Sequence, residues 1–377
     1  MQVVNQLSDL YELCAVCDVD QSAGEAAAAQ FDIPAVHTDL HRMLETERPD
    51  VVLRLTPTDS AVATCIVAAQ HGCHVINEIP FDFTRQRADL IRQACDDSGV
   101  KLEIAENVWL WPQERLKQLI VSEGLLGTVM HARLTYPCGS YHGFNGVRMI
   151  LRKDPVRVLG YGGTVPVKPT LSYGGEPMDT CQWDGAVLDF GEGLHCLFEM
   201  PPKKAVWERR WDIVGTHGHL AADTLYLYEQ KAETAYPIEN LTEEIDGEHV
   251  LKAVRVNTTP VVEWENPFAR YKVSDMDGIA KAAILQSMYD AITQDIAPLY
   301  GAENGRKDQE LCIAMKQSAW QGSIWLDLPL GEITAVEQRL HEAFEERYGC
   351  DALGDIEAQL KARYARGAVM WDVAGWL

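Results

Sequence analysis

Residues 11–20 read YELCAVCDVD, an apolar run that closes on an acidic residue, Asp18. The Ala-rich stretch SAGEAAAAQFD follows at once. A strand that ends in Asp and feeds a helix is how the second strand of a dinucleotide-binding unit reads. There the acid hydrogen-bonds a ribose of NAD, and a glycine-rich turn lies roughly 20 residues upstream. In this chain that distance falls before Met1, and the first glycine is Gly24. The expectation is therefore a nucleotide-binding sheet whose first strand and phosphate loop lie outside the sequence, so that binding itself is in question.

Working outward, strand and helix alternate to about residue 110. PDVVLRLTP is a strand, and SAVATCIVAAQHG is a helix that Gly72 can close. CHVINEIP is a strand, TRQRADLIRQACDDSG a helix with Thr84 at its N-cap, and VKLEIAEN a further strand. Strands with continuous apolar centres, separated by helices, indicate a parallel sheet covered on both faces. Asp18, Thr56-Pro57, Glu78 and Asn107 then share the carboxyl edge, where ligands bind in open α/β sheets.

After Trp111-Pro112 the texture changes to long strands joined by glycine turns: GTVMHARLTYP, AVLDFGEGLHCLFEM, KAVWERRWDIVGT and GHLAADTLYLYE. The helices IAKAAILQSMYDAITQD and QELCIAMKQSAWQGS follow. The fold class is thus α/β: a Rossmann-like parallel sheet over 1–110, then a second α/β domain over 111–330 with a large, mostly antiparallel sheet. Residues 331–377 form a helical extension in which Ile333, Val336, Leu340 and Phe344 recur at helical spacing, and Trp371 and Trp376 dock the end of the chain. The segment 151–177, LRKDPVRVLGYGGTVPVKPTLSYGGEP, is read as pocket loops.

The composition is that of a soluble globular enzyme, 47% hydrophobic and 24% charged over 377 residues. A formal charge of −23 argues against a nucleic-acid role, since phosphate backbones are bound by clustered Lys and Arg. Ten cysteines sit inside apolar runs, as reduced buried thiols do, and Cys14-x-x-Cys17 lacks a second ligand pair for zinc. Without a signal peptide or an apolar run of about 18 residues, a cytoplasmic location is expected.

The stretches CAVCDVD, RPDVVLRLTPTDSAVATCIVAAQHGCHVINEIPF, KLEIAENVWLWP, YHGFNGVR, RWDIVGTHGHL and GRKDQELCIAMKQSAWQGSIWLDLP together resemble the glucose–fructose oxidoreductase / inositol dehydrogenase (Gfo/Idh/MocA) family over residues 8–330. The resemblance implies NAD(P)-dependent oxidation of a sugar, cyclitol or related hydroxy compound. It also implies a homodimer or homotetramer formed through the second domain's sheet. Asp18 matches the ribose acid and favours NAD over NADP, because its charge repels a 2′-phosphate. Thr56 and Pro57 match the Thr-Pro that lies along the dinucleotide, and Glu78 and Pro80 match the outer letters of the Glu-Lys-Pro motif. The middle letter, the catalytic lysine, is here Ile79. Aligned on Tyr141-His142, the substrate-domain motif keeps its His as His142, while its Asp position falls at Cys138.

Each candidate also has a plainer reading. Asp18 could cap the next helix, and Thr56-Pro57 could be only a turn. Asn107, Trp109 and Trp111 could form a substrate platform or interdomain packing. His142 is the candidate acid–base, since imidazole titrates near neutrality. Tyr141 could donate to a substrate oxygen, and Arg148 could bind a substrate carboxylate or be ion-paired. His217 and His219 are a weak metal signal, so no metal is expected, and His195 is assigned to core or interface. Three functions stay open: an NAD-dependent oxidoreductase, a non-catalytic or partner-dependent binder of a sugar-like ligand, and a nucleotide-free lyase using His142 and Glu78.

Overall fold

The computed structural model describes residues 1–136, 139–171, 177–202, 210–229 and 232–364. Helix α1, Gln2–Gln6, leads into β1, Ala15–Cys17, then α2, Gln21–Phe31, β2, Ala35–His37, and α3, Leu40–Glu47. Next come β3, Val51–Arg54, α4, Ala61–Gln70, β4, His74–Asn77, α5, Arg85–Ser98, and β5, Leu102–Ile104. All pairings among these strands are parallel, but they form two separate sheets, β1–β2 and β3–β4–β5. A central strand that would join β1 to β3 is not among the described residues. The strand expected over Tyr11–Asp20 shrinks to three residues, because β1 has a single partner to extend against. β2 and α3 escaped the sequence reading.

Local chemistry explains where the helices begin. Asp20, not Asp18, caps α2: its side chain accepts from the backbone N–H of Ser22 (3.0 Å) and Ala23 (3.4 Å). Asp39 does the same for α3 through Arg42 N–H at 2.9 Å. Thr84 stands at the N-cap of α5 as expected, but its side chain makes no cap bond. Its hydroxyl instead meets His341 Nε2 at 2.8 Å, and Glu337 Oε1 accepts from Arg85 N–H at 3.1 Å. A carboxylate from the end of the chain therefore sits on the N-terminus of α5, where the helix dipole favours it.

The second part opens with α6, Pro112–Ser122, β6, Val129–Thr135, and α7, Ser140–Leu151. Then follow β7, Arg157–Leu171, β8, Pro177–Asp189, β9, His195–Met200, β10, Arg210–Gly215, β11, Gly218–Ala221, β12, Thr224–Glu229, and β13, Ala232–Pro237. β14, Glu239–Ile245, β15, Glu248–Val256, and β16, Val262–Glu265, make a small sheet of their own. Helices α8, Met276–Thr293, and α9, Ala302–Trp320, precede β17, Trp325–Asp327, with α10, Ala335–Tyr348, and α11, Ile356–Lys361, at the end. The large sheet runs β13-β12-β11-β10-β6-β9-β8-β7-β17 and is antiparallel except between β6 and β9.

Several readings need correction. The supposed pocket loops at 151–177 contain β7, a 15-residue strand paired with β8 across a register shift between Pro166 and Thr170. Of the two places read for His195, core or interface, the core is excluded, since it is half-exposed on β9. Val336, Leu340 and Phe344 are buried on α10, whereas Ile333 lies before that helix and is exposed. Trp371 and Trp376 lie outside the described residues. No described helix is long and apolar enough to cross a membrane.

Candidate active site

Two structural accidents of the sequence bring the site together. Strands β3, β4 and β5 end at the same edge, and α7 packs across it from the second sheet's layer. Helix α7 can lie close to that sheet because of its glycines: a Cβ at Gly143 would come within 2.3 Å of the Phe198 ring on β9. His142 is in the first turn of this helix.

The imidazole of His142 reaches back to the strand edge. Its Nδ1 lies 2.7 Å from Glu106 Oε1 in the segment after β5, and the Glu106 side chain is almost fully buried. Tyr136 and Tyr141 flank the ring at centroid distances of 5.8 and 4.5 Å. Glu78, at the end of β4, feels both Glu106 and His142; burial is the main cause that raises its carboxyl above the ordinary range. Ile79, partly buried against the core, adds no charge there.

Beneath the edge lies Arg54, the last residue of β3 and 2% exposed. Its guanidinium donates to Asn77 Oδ1, to Thr56 O at 2.5 Å and to Glu78 O. It thus ties together the two loops that carry Thr56 and Glu78. Burial lowers its pKa, with the thiol of Cys65 and the carboxyls of Glu78 and Asp82 opposing. An arginine inside the apolar run VVLRL was the available sequence signal, and the reading passed over it, as it did Glu106 in AEN.

The other candidates fare unevenly. Asp18 is half-exposed at the end of β1 and accepts from Asp20 N–H at 2.9 Å. Thr56 is exposed, and its Oγ1 accepts from Ser60 Oγ at 2.7 Å. Asn107 donates to Asp277 Oδ1 at 3.1 Å, beside Trp111 Nε1 at 2.8 Å, while its own buried Oδ1 has no hydrogen-bond partner among the described residues. Trp109 is buried and packs on Tyr300 with ring centroids 5.5 Å apart. Arg148 is enclosed by Asp154 at 2.8 Å, Asp308 at 2.5 Å and Asn304 O at 3.3 Å, so its charge is spent inside the protein. His219 stacks on Tyr226, with ring centroids 4.7 Å apart. Cys138 lies outside the described residues. Burial pushes the Cys17 thiol up to about 11, away from thiolate chemistry.

Residues 1–106 match the family model GFO_IDH_MocA, an oxidoreductase family with an NAD-binding Rossmann fold. Residues 1–106 are thus the NAD-binding Rossmann domain of the Gfo/Idh/MocA type. Among curated relatives, a D-apiose dehydrogenase from Paraburkholderia graminis is 29% identical over 143 residues, 38% of each chain. A D-glucoside 3-dehydrogenase from Escherichia coli is 35% identical over 85 residues, 22% of this chain and 23% of that protein. These matches span well under half the length of the relatives. A levoglucosan dehydrogenase solved with NADH and levoglucosan has a TM-score of 0.67 at 16% identity, covering 87% of this chain and 95% of that one. At that identity the likeness shows the fold, which extends through the large sheet.

Proposed function

We propose that the chain is an NAD-dependent oxidoreductase that oxidises a hydroxyl of a sugar, cyclitol or related compound, with His142 as acid–base. The observation that carries this reading is the His142–Glu106 contact at the carboxyl edge of a Rossmann-family sheet. With Nδ1 held by a carboxylate, Nε2 is the nitrogen left to take a hydroxyl proton. The nicotinamide, when bound, accepts the hydride from the same carbon. Asp18 and Thr56 present an acceptor and a hydroxyl suited to a ribose, and the charge of Asp18 disfavours a 2′-phosphate. The residues therefore fit the nucleoside side of NAD; the glycine turn of the phosphate side is not among them. Glu78 feels the charges of both Glu106 and His142, while the guanidinium of Arg148 is already committed to Asp308. A surplus of carboxyls suits an uncharged polyol better than a sugar acid.

Titration of NADH, followed by tryptophan quenching and calorimetry, tests the cofactor, and a screen of neutral sugars with NAD at 340 nm tests the activity. Micromolar NADH binding and turnover of a polyol are expected. His142→Ala is expected to reduce kcat on the order of 10²-fold or more with little change in NADH affinity. No binding up to millimolar NADH would overturn the reading, and an unchanged kcat would remove His142 from catalysis.

A further inference from the structure

The family motif letters that this chain lacks leave open what holds its one retained catalytic side chain, and the strand edge supplies an answer. Glu106 comes from the segment after β5, 36 residues before His142 and on a different layer of the fold. It is 1% exposed, and its Oε1 is 2.7 Å from His142 Nδ1 and 3.3 Å from the Val108 N–H that donates to it. A buried carboxylate with one backbone donor and one imidazole partner has a defined orientation, because no competing solvent can rotate it. Next to it, Asn107 is held by Asp277 Oδ1, which also accepts from Trp111 Nε1. That arrangement fixes the backbone on the far side of Glu106. On the imidazole side, the rings of Tyr136 and Tyr141 pack against it at centroid distances of 5.8 and 4.5 Å.

We propose that Glu106 is the positioning residue of His142: it accepts the Nδ1 proton, locks the imidazole in the Nδ1–H tautomer and turns Nε2 into the cleft as the proton acceptor. The proposal rests on the reading of His142 as acid–base, but its geometry does not depend on which hydroxyl is oxidised. A second partner matters for the chemistry. Imidazolium forms when Nε2 takes the substrate proton, and an adjacent buried carboxylate stabilises that charge far better than water would. The groups facing the pair are Glu78 from the end of β4, Asp308 from α9, and the phenols of Tyr136 and Tyr141. Glu106 Oε1, at 2.7 Å, is at hydrogen-bond distance from the ring nitrogen Nδ1.

Long-range 1H–15N correlation spectra of the histidine rings test this directly in the full chain, with His142→Gln used to assign the His142 signals. In the parent protein the neutral ring is expected to show Nδ1 protonated and Nε2 bare. Glu106→Ala is expected to shift the ring to the Nε2–H form that free imidazoles prefer, with loss of any downfield Nδ1–H resonance. Glu106→Gln, which keeps the volume, serves if the alanine variant does not fold, and it should weaken or reverse the tautomer preference. An Nδ1–H signal unchanged in both variants would overturn the proposal, because another acceptor would then hold the ring. Once a substrate is found, Glu106→Gln is expected to reduce kcat about 10²-fold while NADH affinity stays within twofold. If turnover falls with the tautomer unchanged, Glu106 acts otherwise than proposed. If no substrate is found, the tautomer result still decides the proposal by itself.

Discussion

The stability of this protein should rise when one of its own carboxylates is neutralised. Glu103 on β5 is 1% exposed, and burial pushes its carboxyl up from an ordinary 4.5 to about 7. Ser287 Oγ donates to its Oε2 at 2.7 Å and Tyr300 N–H to its Oε1 at 3.0 Å, which offsets part of the desolvation but not all of it. Because the folded-state pKa is above the unfolded one, the folded state holds a proton that the unfolded chain has released between pH 4.5 and 7. Stability therefore falls as pH rises through that window, and the full penalty is present above about pH 7. The shift of 7 − 4.5, or 2.5 units, corresponds to roughly 3 kcal/mol at about 1.36 kcal/mol per unit. Glu103→Gln keeps an oxygen for Tyr300 N–H and offers its amide to Ser287 Oγ. Guanidinium denaturation at pH 8 is expected to show the variant more stable by roughly 3 kcal/mol, with the gap closing as pH falls to 4. Equal midpoints at pH 8, or a gap that persists at pH 4, would refute the reasoning.

Asp18→Ala is expected to weaken NADH about tenfold, the value of one or two lost hydrogen bonds, and to relax discrimination against NADPH; unchanged affinities for both nucleotides would leave Asp18 with only its turn contact to Asp20. Gly143→Ala would drive a Cβ into the buried Phe198 ring and should cost about 1–3 kcal/mol in a thermal or denaturant melt, since that ring has no room to move. A variant as stable as the parent would mean that α7 can lift from the sheet without loss.

The alternation of strand and helix was legible because continuous apolar runs such as VVLRL and CHVIN have no use other than a doubly covered sheet. Lengths were less legible. YELCAVCDVD looks like ten residues of strand, yet pairing ends after Cys17 because β2 offers only Ala35–His37. β7 was misread for the opposite reason. Its glycines and prolines resemble a loop, but the backbone ladder with β8 overrides composition, and Gly160 is needed because a Cβ there would lie 1.9 Å from the Met315 carbonyl oxygen.

The site was half legible for a related reason. Residues at the carboxyl end of a strand can be found by finding the strand, which is how Asp18, Thr56 and Glu78 were singled out as candidates. Residues that act on each other across the fold leave no mark in local pattern. His142 and Arg148 stand six residues apart on the same helix, and nothing in the sequence separates a partly exposed histidine from an arginine closed within the protein. Their partners decide it: Arg148 meets two carboxylates, from Asp154 and from Asp308 on α9, and is neutralised, whereas His142 meets one carboxylate on one nitrogen. The useful sequence signal is a charge placed where an apolar residue is expected. Arg54 at the end of β3 and Glu106 after β5 both carry it, and a buried charge persists only where the fold gives it partners. Arg54 finds carbonyl oxygens on two loops of the carboxyl edge, and Glu106 finds the imidazole, so each misplaced charge leads to the site.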